Sequence, residues 1–261
     1  MISINTNTAS SLAAYNVSNV NTQLQRSLQR LSSGSRINSS VDDAGGMAVS
    51  MRLSASVRRT EATQANVNNA IAFLQTQDGV LKNAEKVLTR LSELTQLATD
   101  VTKSTDDLDL YQTEADGLIE QLSAMVDETF NGVSLFDGTE LEVVVSQDGA
   151  QTVGMSDTSD TLDTIANTDL NGLDISTNAA ALTAITDVNT AIQDLATLRA
   201  ENGAQQSRLS LAGDILAINK VNLESANSRI ADVDIASESA NLARLSILQQ
   251  AGTAMLSLIH I

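Results

Sequence analysis

Between Val67 and Ala98 two interleaved rows repeat every seven residues: Val67, Leu74, Leu81, Leu88 and Thr95, with Ala70, Gln77, Ala84, Leu91 and Ala98 as partners. Such a stripe is buried only when a helix lies against another helix. Large side chains alternate with small ones, which lets a facing helix approach closely, and Gln77 and Thr95 make the seam partly polar. The chain has no proline, so its strongest helix interrupter is missing and long helices are permitted. A second helix follows the same rule, with Leu108, Tyr111, Ala115, Leu118, Leu122 and Met125 stepping by three and four. Thr102–Asp107 between them reads as a turn and N-cap, so the two helices are expected to fold back as an antiparallel pair.

The 3,4 spacing recurs at both ends. Val17, Val20, Leu24, Leu28 and Leu31 share a face until Ser32-Ser33-Gly34-Ser35 ends the run. Asp42-Asp43-Ala44-Gly45-Gly46 marks another helix boundary, where negative charge near a helix start is favourable. Beyond residue 179 come Leu182, Ile185, Val188, Ile192 and Leu195, then an unbroken run from Leu209 through Leu216 and Leu223 to Val233. Leu242, Leu245, Leu248 and Met255 close the chain. In the middle the period changes. Leu141–Val145 is rich in β-branched residues, Asp148-Gly149 is a turn signal and Gln151–Met155 supplies a return strand, which predicts a small β-hairpin. Residues 156–178, rich in Ser, Thr, Asp and Asn, read as loop with at most short strands. The fold class expected is mainly α: long antiparallel helices forming a coiled-coil or helical bundle, with a small β-hairpin region in the middle.

Chemistry is scarce. With 2% aromatic residues and no Trp, the core must be built from Leu, Ile, Val and Ala. There is no cysteine, and the single histidine, His260, rules out a histidine triad or multi-histidine metal site within one chain. Asp42-Asp43 and Asp106-Asp107 are better explained as helix caps than as paired acids, because no base or nucleophile accompanies them. No enzymatic activity, cofactor or metal is expected. A formal charge of −17 opposes nucleic acid and anionic lipid. No segment approaches the roughly 20 apolar residues of a membrane span, so no membrane insertion is expected. The N-terminus lacks the basic start and apolar stretch of a cleavable signal. A 30-residue helix is about 45 Å long and cannot cover its own stripe. Residues 1–40 and 226–261 are left with few partners, so burial between subunits and an ordinary intramolecular bundle both remain open on periodicity alone.

Several blocks resemble bacterial flagellin: Ile4-Asn5-Thr6-Asn7, Leu31–Asn38, Asp42–Ala48, Phe130-Asn131-Gly132, Arg199–Leu209, Ser228–Asp234 and Gln249–Met255. The resemblance covers about two thirds of the chain, and the short middle is similar to a compact flagellin without large outer domains. It implies a structural subunit whose terminal helices pair in the inner wall of a filament used for swimming. On this pattern residues 1–44 form an inner-core helix and spoke, 45–130 the first part of the helical bundle, and 131–178 the hairpin and variable surface loops. Residues 179–225 form the C-terminal bundle helix and 226–255 the second inner-core helix. The stripe for inner-core assembly is Val17, Val20, Leu24, Leu28, Leu31, Leu242, Leu245 and Leu248. Implied partners are other flagellin subunits, an export chaperone, the filament cap and hook-filament junction proteins. Export unfolded through the flagellar channel, to an extracellular filament, is implied with them. The rival class is the hook-filament junction protein, disfavoured by the flagellin blocks at both ends.

The resemblance also touches Arg90, Glu93, Leu94 and Glu114, the pattern by which the flagellin-sensing Toll-like receptor of a host recognises a subset of flagellins. Arg90 and Leu94, four apart, would give a receptor one charged anchor and one apolar contact. Ordinary surface charges beside a rim leucine are the plainer reading, and both stand open at this point. So do glycosylation and plain solvation of the 156–178 hydroxyls. One departure follows Met255, where the family pattern continues for about ten residues. Here Leu256-Ser257-Leu258-Ile259-His260-Ile261 matches a translated sequencing adapter, so a foreign tail on a shortened C-terminus is expected, against a real short terminus.

Overall fold

The computed structural model describes residues 7–136, 140–155 and 162–260, with side chains up to Leu258. Ile4, Asn5 and Thr6 of the first flagellin-like block, residues 156–161 of the polar segment and Ile261 lie outside the described residues. The chain divides into two compact units, residues 1–58 with 220–261, and residues 59–219. Helices α2 (Ala44–Ala98) and α5 (Asn178–Ala231) each contribute to both.

The first unit pairs α1 (Thr8–Ser33) with α6 (Ile235–His260). Both helices begin on side-chain caps. Asn7 Oδ1 accepts from Ser10 N at 3.3 Å, and Asp234 Oδ1 accepts from Ala236 N at 3.0 Å. Gly34 ends α1 at φ +71°, a left-handed position that suits glycine, as the Ser-Ser-Gly-Ser signal predicts. The pairing is antiparallel: Val17 lies against Gly252, Gln249 donates to Asn21, and Ser27 donates to Glu238. After α1 the chain is pinned to the end of α5, where Arg36 N donates to Ala231 O at 2.6 Å and Val233 N to Gly34 O at 3.0 Å. The run expected to continue unbroken to Val233 therefore stops at Ala231, because that clasp takes the backbone out of the helix. The boundary expected at 225/226 falls inside α5. The residues read as a foreign tail continue α6 as far as His260.

Asp42 and Asp43 act as capping groups. Asp43 Oδ1 accepts from Gly46 N at 2.8 Å at the start of α2, while Asp42 Oδ2 accepts from the backbone of Asn38 and Ser39. The hydrogen bond from Asn38 N, aided by those from Ser39, holds the Asp42 carboxyl below its usual range.

The second unit is built on α2. All ten residues of the two heptad rows are buried. Helix α3 (Thr105–Val126) starts on a capping box, with Ser104 and Asp107 exchanging side-chain and backbone hydrogen bonds. It buries Leu108, Ala115 and Leu122 and half-buries Tyr111, Leu118 and Met125. Strands β3 (Glu142–Val144) and β4 (Thr152–Gly154) pair antiparallel as expected, with Val143 opposite Val153. A second hairpin, β1 (Thr129–Phe130) with β2 (Val133–Ser134), escaped the sequence reading although its two-residue turn is Asn131-Gly132, both at positive φ.

Two expectations are corrected. The segment read as loop contains α4 (Leu162–Thr164), which runs straight into a π-helical turn at Ile165–Asp169. Leu162, Ile165, Ala166, Leu170, Leu173 and Ile175 are buried there. Its backbone is satisfied by Gln112 of α3, whose Nε2 donates to Leu173 O at 2.9 Å and whose Oε1 accepts from Ile175 N at 2.6 Å. On α5 the buried row is Ala181, Ala184, Val188, Ala191 and Leu195, whereas Leu182 is 63% exposed. Alanines, not Leu182, form the face because close helix approach needs small residues there.

Candidate assembly surface and receptor patch

The eight residues expected to form an assembly stripe are split by the α1–α6 pairing. Leu245 is buried, Val17, Val20, Leu24, Leu31 and Leu242 are half-buried, and Leu28 and Leu248 are about half exposed. Pairing therefore covers one side of the stripe and leaves the other open. Ile247, Met255 and Leu258 share an exposed arc of α6 with Leu248, and Leu12, Tyr15 and Ile235 are exposed elsewhere on the pair. An exposed apolar surface along a helix pair is an interaction surface by default, since single exposed residues need no explanation but a row of them does. Close approach within the pair is set by Gly252, where a methyl group would meet Val17 Cγ2 at 2.5 Å. Charge points the same way. The first unit holds eight Lys and Arg against six Asp and Glu, the second seven against twenty-six.

The second unit carries the residues singled out for receptor recognition. Arg90 on α2 donates through Nε to Glu114 Oε1 of α3 at 2.8 Å and through Nη1 to Glu93 Oε2 at 3.0 Å. The hydrogen bond from Glu114, then that from Glu93, raises the Arg90 pKa further above its ordinary value. All three side chains are well exposed, so sequence reasoning placed a charged trio on one surface. Leu94 is not part of it. Its side chain is 0% exposed, so the apolar contact expected of Leu94 is corrected to a core position. The signal that could have found this is a third row on α2: Phe73, Val80, Val87 and Leu94 also step by seven, and all but the partly buried Val80 are buried. Two helices cover α2, so its buried arc is wider than one coiled-coil seam.

Among the described residues no group of acidic or histidine side chains is placed to hold a metal ion, and no helix is long and apolar enough to cross a membrane. What the geometry defines is a long-helix chain with exposed apolar residues along its α1–α6 pair. Comparison with known proteins narrows the class. A model of the bacterial flagellin N-terminal helical region matches residues 4–140, and one of the bacterial flagellin C-terminal helical region matches residues 185–260. The chain is 30% identical to a flagellin of Bacillus subtilis over 97% of its own length and 95% of that protein's. It is 29% identical to a flagellar filament 30.7 kDa core protein of Treponema maltophilum, over 91% of this chain and 88% of the other. The crystal structure of Bacillus cereus flagellin superposes with a TM-score of 0.51 at 26% identity, covering 58% of this chain and 88% of that one. The chain belongs to the bacterial flagellin family.

Proposed function

We propose that this chain is a structural subunit that polymerises into a bacterial flagellar filament, and that it does so through the first unit. The observation that carries the reading is the exposed apolar arc of α6 formed by Ile247, Leu248, Met255 and Leu258, in a unit of nearly balanced charge. Burying that surface against further copies is favourable at about 25 cal/mol per Å² of apolar area. A head-to-tail contact whose rotation does not close gives an open helical array. The flagellar filament lies outside the cell, so the subunit works there. Its further partners are an export chaperone, the filament cap and the hook-filament junction proteins, met as the chain passes unfolded through the export channel. The test is elongation of flagellar fragments used as seeds, viewed by electron microscopy. Added chain should lengthen the seeds, and Leu248→Glu, which places a charge on the open side, should stop it. Seeds that do not grow with the parent chain would sink the reading.

A second reading concerns the exposed trio. Arg90, Glu93 and Glu114 form a rigid charged patch across two helices, and we infer that it is the surface a host Toll-like receptor takes on the unassembled subunit. Reporter cells bearing that receptor should respond to the parent chain and lose at least about tenfold in potency with Arg90→Ala, a loss of the size seen for interface anchors.

A further inference from the structure

Helices α2 and α5 run antiparallel through the second unit, and four contacts define their register: Gly213 beside Val67, Asn202 on Gln77, Arg199 on Asp78 and Asn178 on Ala98. The leucine row and the ion pairs of this seam do not distinguish that register from one displaced by a heptad. The first row of α2 repeats leucine at 74, 81 and 88, so along it a slide of seven exchanges leucine for leucine, whereas the second row changes at Gln77 and Leu91. The ion pairs are equally indifferent. Arg199 reaches Asp78 at 3.3 Å and also Glu85 at 2.5 Å, and those carboxylates are themselves seven apart. A slide of one heptad, about 10 Å of helix, leaves the guanidinium with one of the same two partners.

The buried amides differ. Gln77 Nε2 donates to Leu135 O at 2.7 Å, and Gln77 Oε1 accepts from Asn202 Nδ2 at 2.7 Å. Asn202 Nδ2 also lies 3.2 Å from Leu74 O, and Gln206 Nε2 donates to Asn202 Oδ1. Gln77 and Asn202 are buried, so each bond lost there strands a polar group away from water. Displacing α5 by a heptad toward Glu85 sets Asn202 opposite Ala84 and Gln77 opposite Leu209, and neither can answer an amide.

We propose that the Gln77–Asn202–Gln206 amide cluster is the register lock of the α2–α5 pair, and that the bond from Gln77 to Leu135 O ties the segment after β2 to the locked position. Buried polar groups in a repetitive apolar seam select one alignment at some cost in stability. The exposed aliphatic row Leu211, Ile215 and Ile218 on α5 is thereby kept at one height, which a subunit of a repeating array needs; that consequence rests on the filament reading, the lock does not.

The chain has no cysteine, so Thr89→Cys with Thr190→Cys, both at exposed positions, supplies two unique nitroxide sites for dipolar distance measurement. The parent and the swap Gln77→Asn with Asn202→Gln, which keeps amide facing amide, should each give one distance. Gln77→Leu with Asn202→Leu should give a second population from the slid helix while still melting cooperatively. Asn202→Leu alone should melt lower, because Gln77 keeps an unanswered oxygen. A single unchanged distance in the double leucine variant overturns the lock. Loss of its cooperative melting overturns it too, since the cluster would then hold the fold rather than its alignment. Failure of the parent chain to extend filament seeds would remove the filament reading and leave these distances unaffected.

Discussion

Arg90 and Leu94 are four residues apart on the same helix and have opposite roles. Their spacing places them about 40° apart around α2, which is why they read as one surface. The structure separates them, since the arc buried by α3 and α5 ends between them: Leu94 is enclosed and Arg90 stands in solvent on two carboxylates. Truncating Leu94 to alanine leaves a cavity and should cost about 2–5 kcal/mol, lowering the melting temperature by about 2–4 °C for each kcal/mol. Arg90→Ala should leave melting nearly unchanged, because exposed ion pairs contribute little. Thermal melts followed by circular dichroism separate the two. If Arg90→Ala melted as low as Leu94→Ala, the trio would be holding the bundle together, and its reading as a recognition patch would lose its ground.

At the scale of elements, legibility followed how much of each burial pattern the sequence states in large side chains. Two rows of the α2 seam were legible, because all ten of their positions are buried as spaced, whereas the third row through Leu94 was not read. The α5 face was read one step round the helix, because Leu182 looks like a core residue while the true face is drawn in alanine. Residues 162–175 were missed because Thr, Asp and Asn make up about half of the stretch and mask the 3,4 spacing of Leu162, Ile165, Ala166, Leu170 and Leu173. Gln112 supplies from α3 the hydrogen bonds that the segment cannot make itself. For the residues expected on an assembly stripe, spacing alone gave no sign that the α1–α6 pairing covers most of them and leaves Leu28 and Leu248 about half exposed. The α1–α6 pairing depends on Gly252, where Val17 fills the space a side chain would need. Gly252→Val should force these helices apart. Hydrogen exchange should accelerate in residues 8–33 and 235–255 and stay unchanged in 63–98, since separate cooperative units open independently. Equal acceleration in both regions would show that the two units melt as one.

For the whole molecule the governing fact is how unevenly charge is divided. Residues 59–219 carry a net −19, with twenty-six acidic side chains facing seven basic ones, while the unit with the exposed apolar helices is +2, which gives the −17 of the chain. Each copy added to an array brings another acidic unit near its neighbours, and that repulsion opposes the apolar burial that drives assembly. The two forces answer salt differently. Raising ionic strength from about 0.01 to about 0.1 M shortens the screening length from about 30 to about 10 Å, which weakens the repulsion between exposed carboxylates and leaves apolar burial almost untouched. The concentration of chain needed to extend seeds should therefore fall as sodium chloride is raised over that range. Leu248→Glu, which adds charge to the neutral unit, should recover only part of the lost elongation. An elongation that weakens as salt rises would reverse the sign of the argument: copies would then be held by opposite charges across their contact, and the basic residues of the first unit, Arg26, Arg52 and Arg58 among them, would have to be meeting the acidic unit of the next copy.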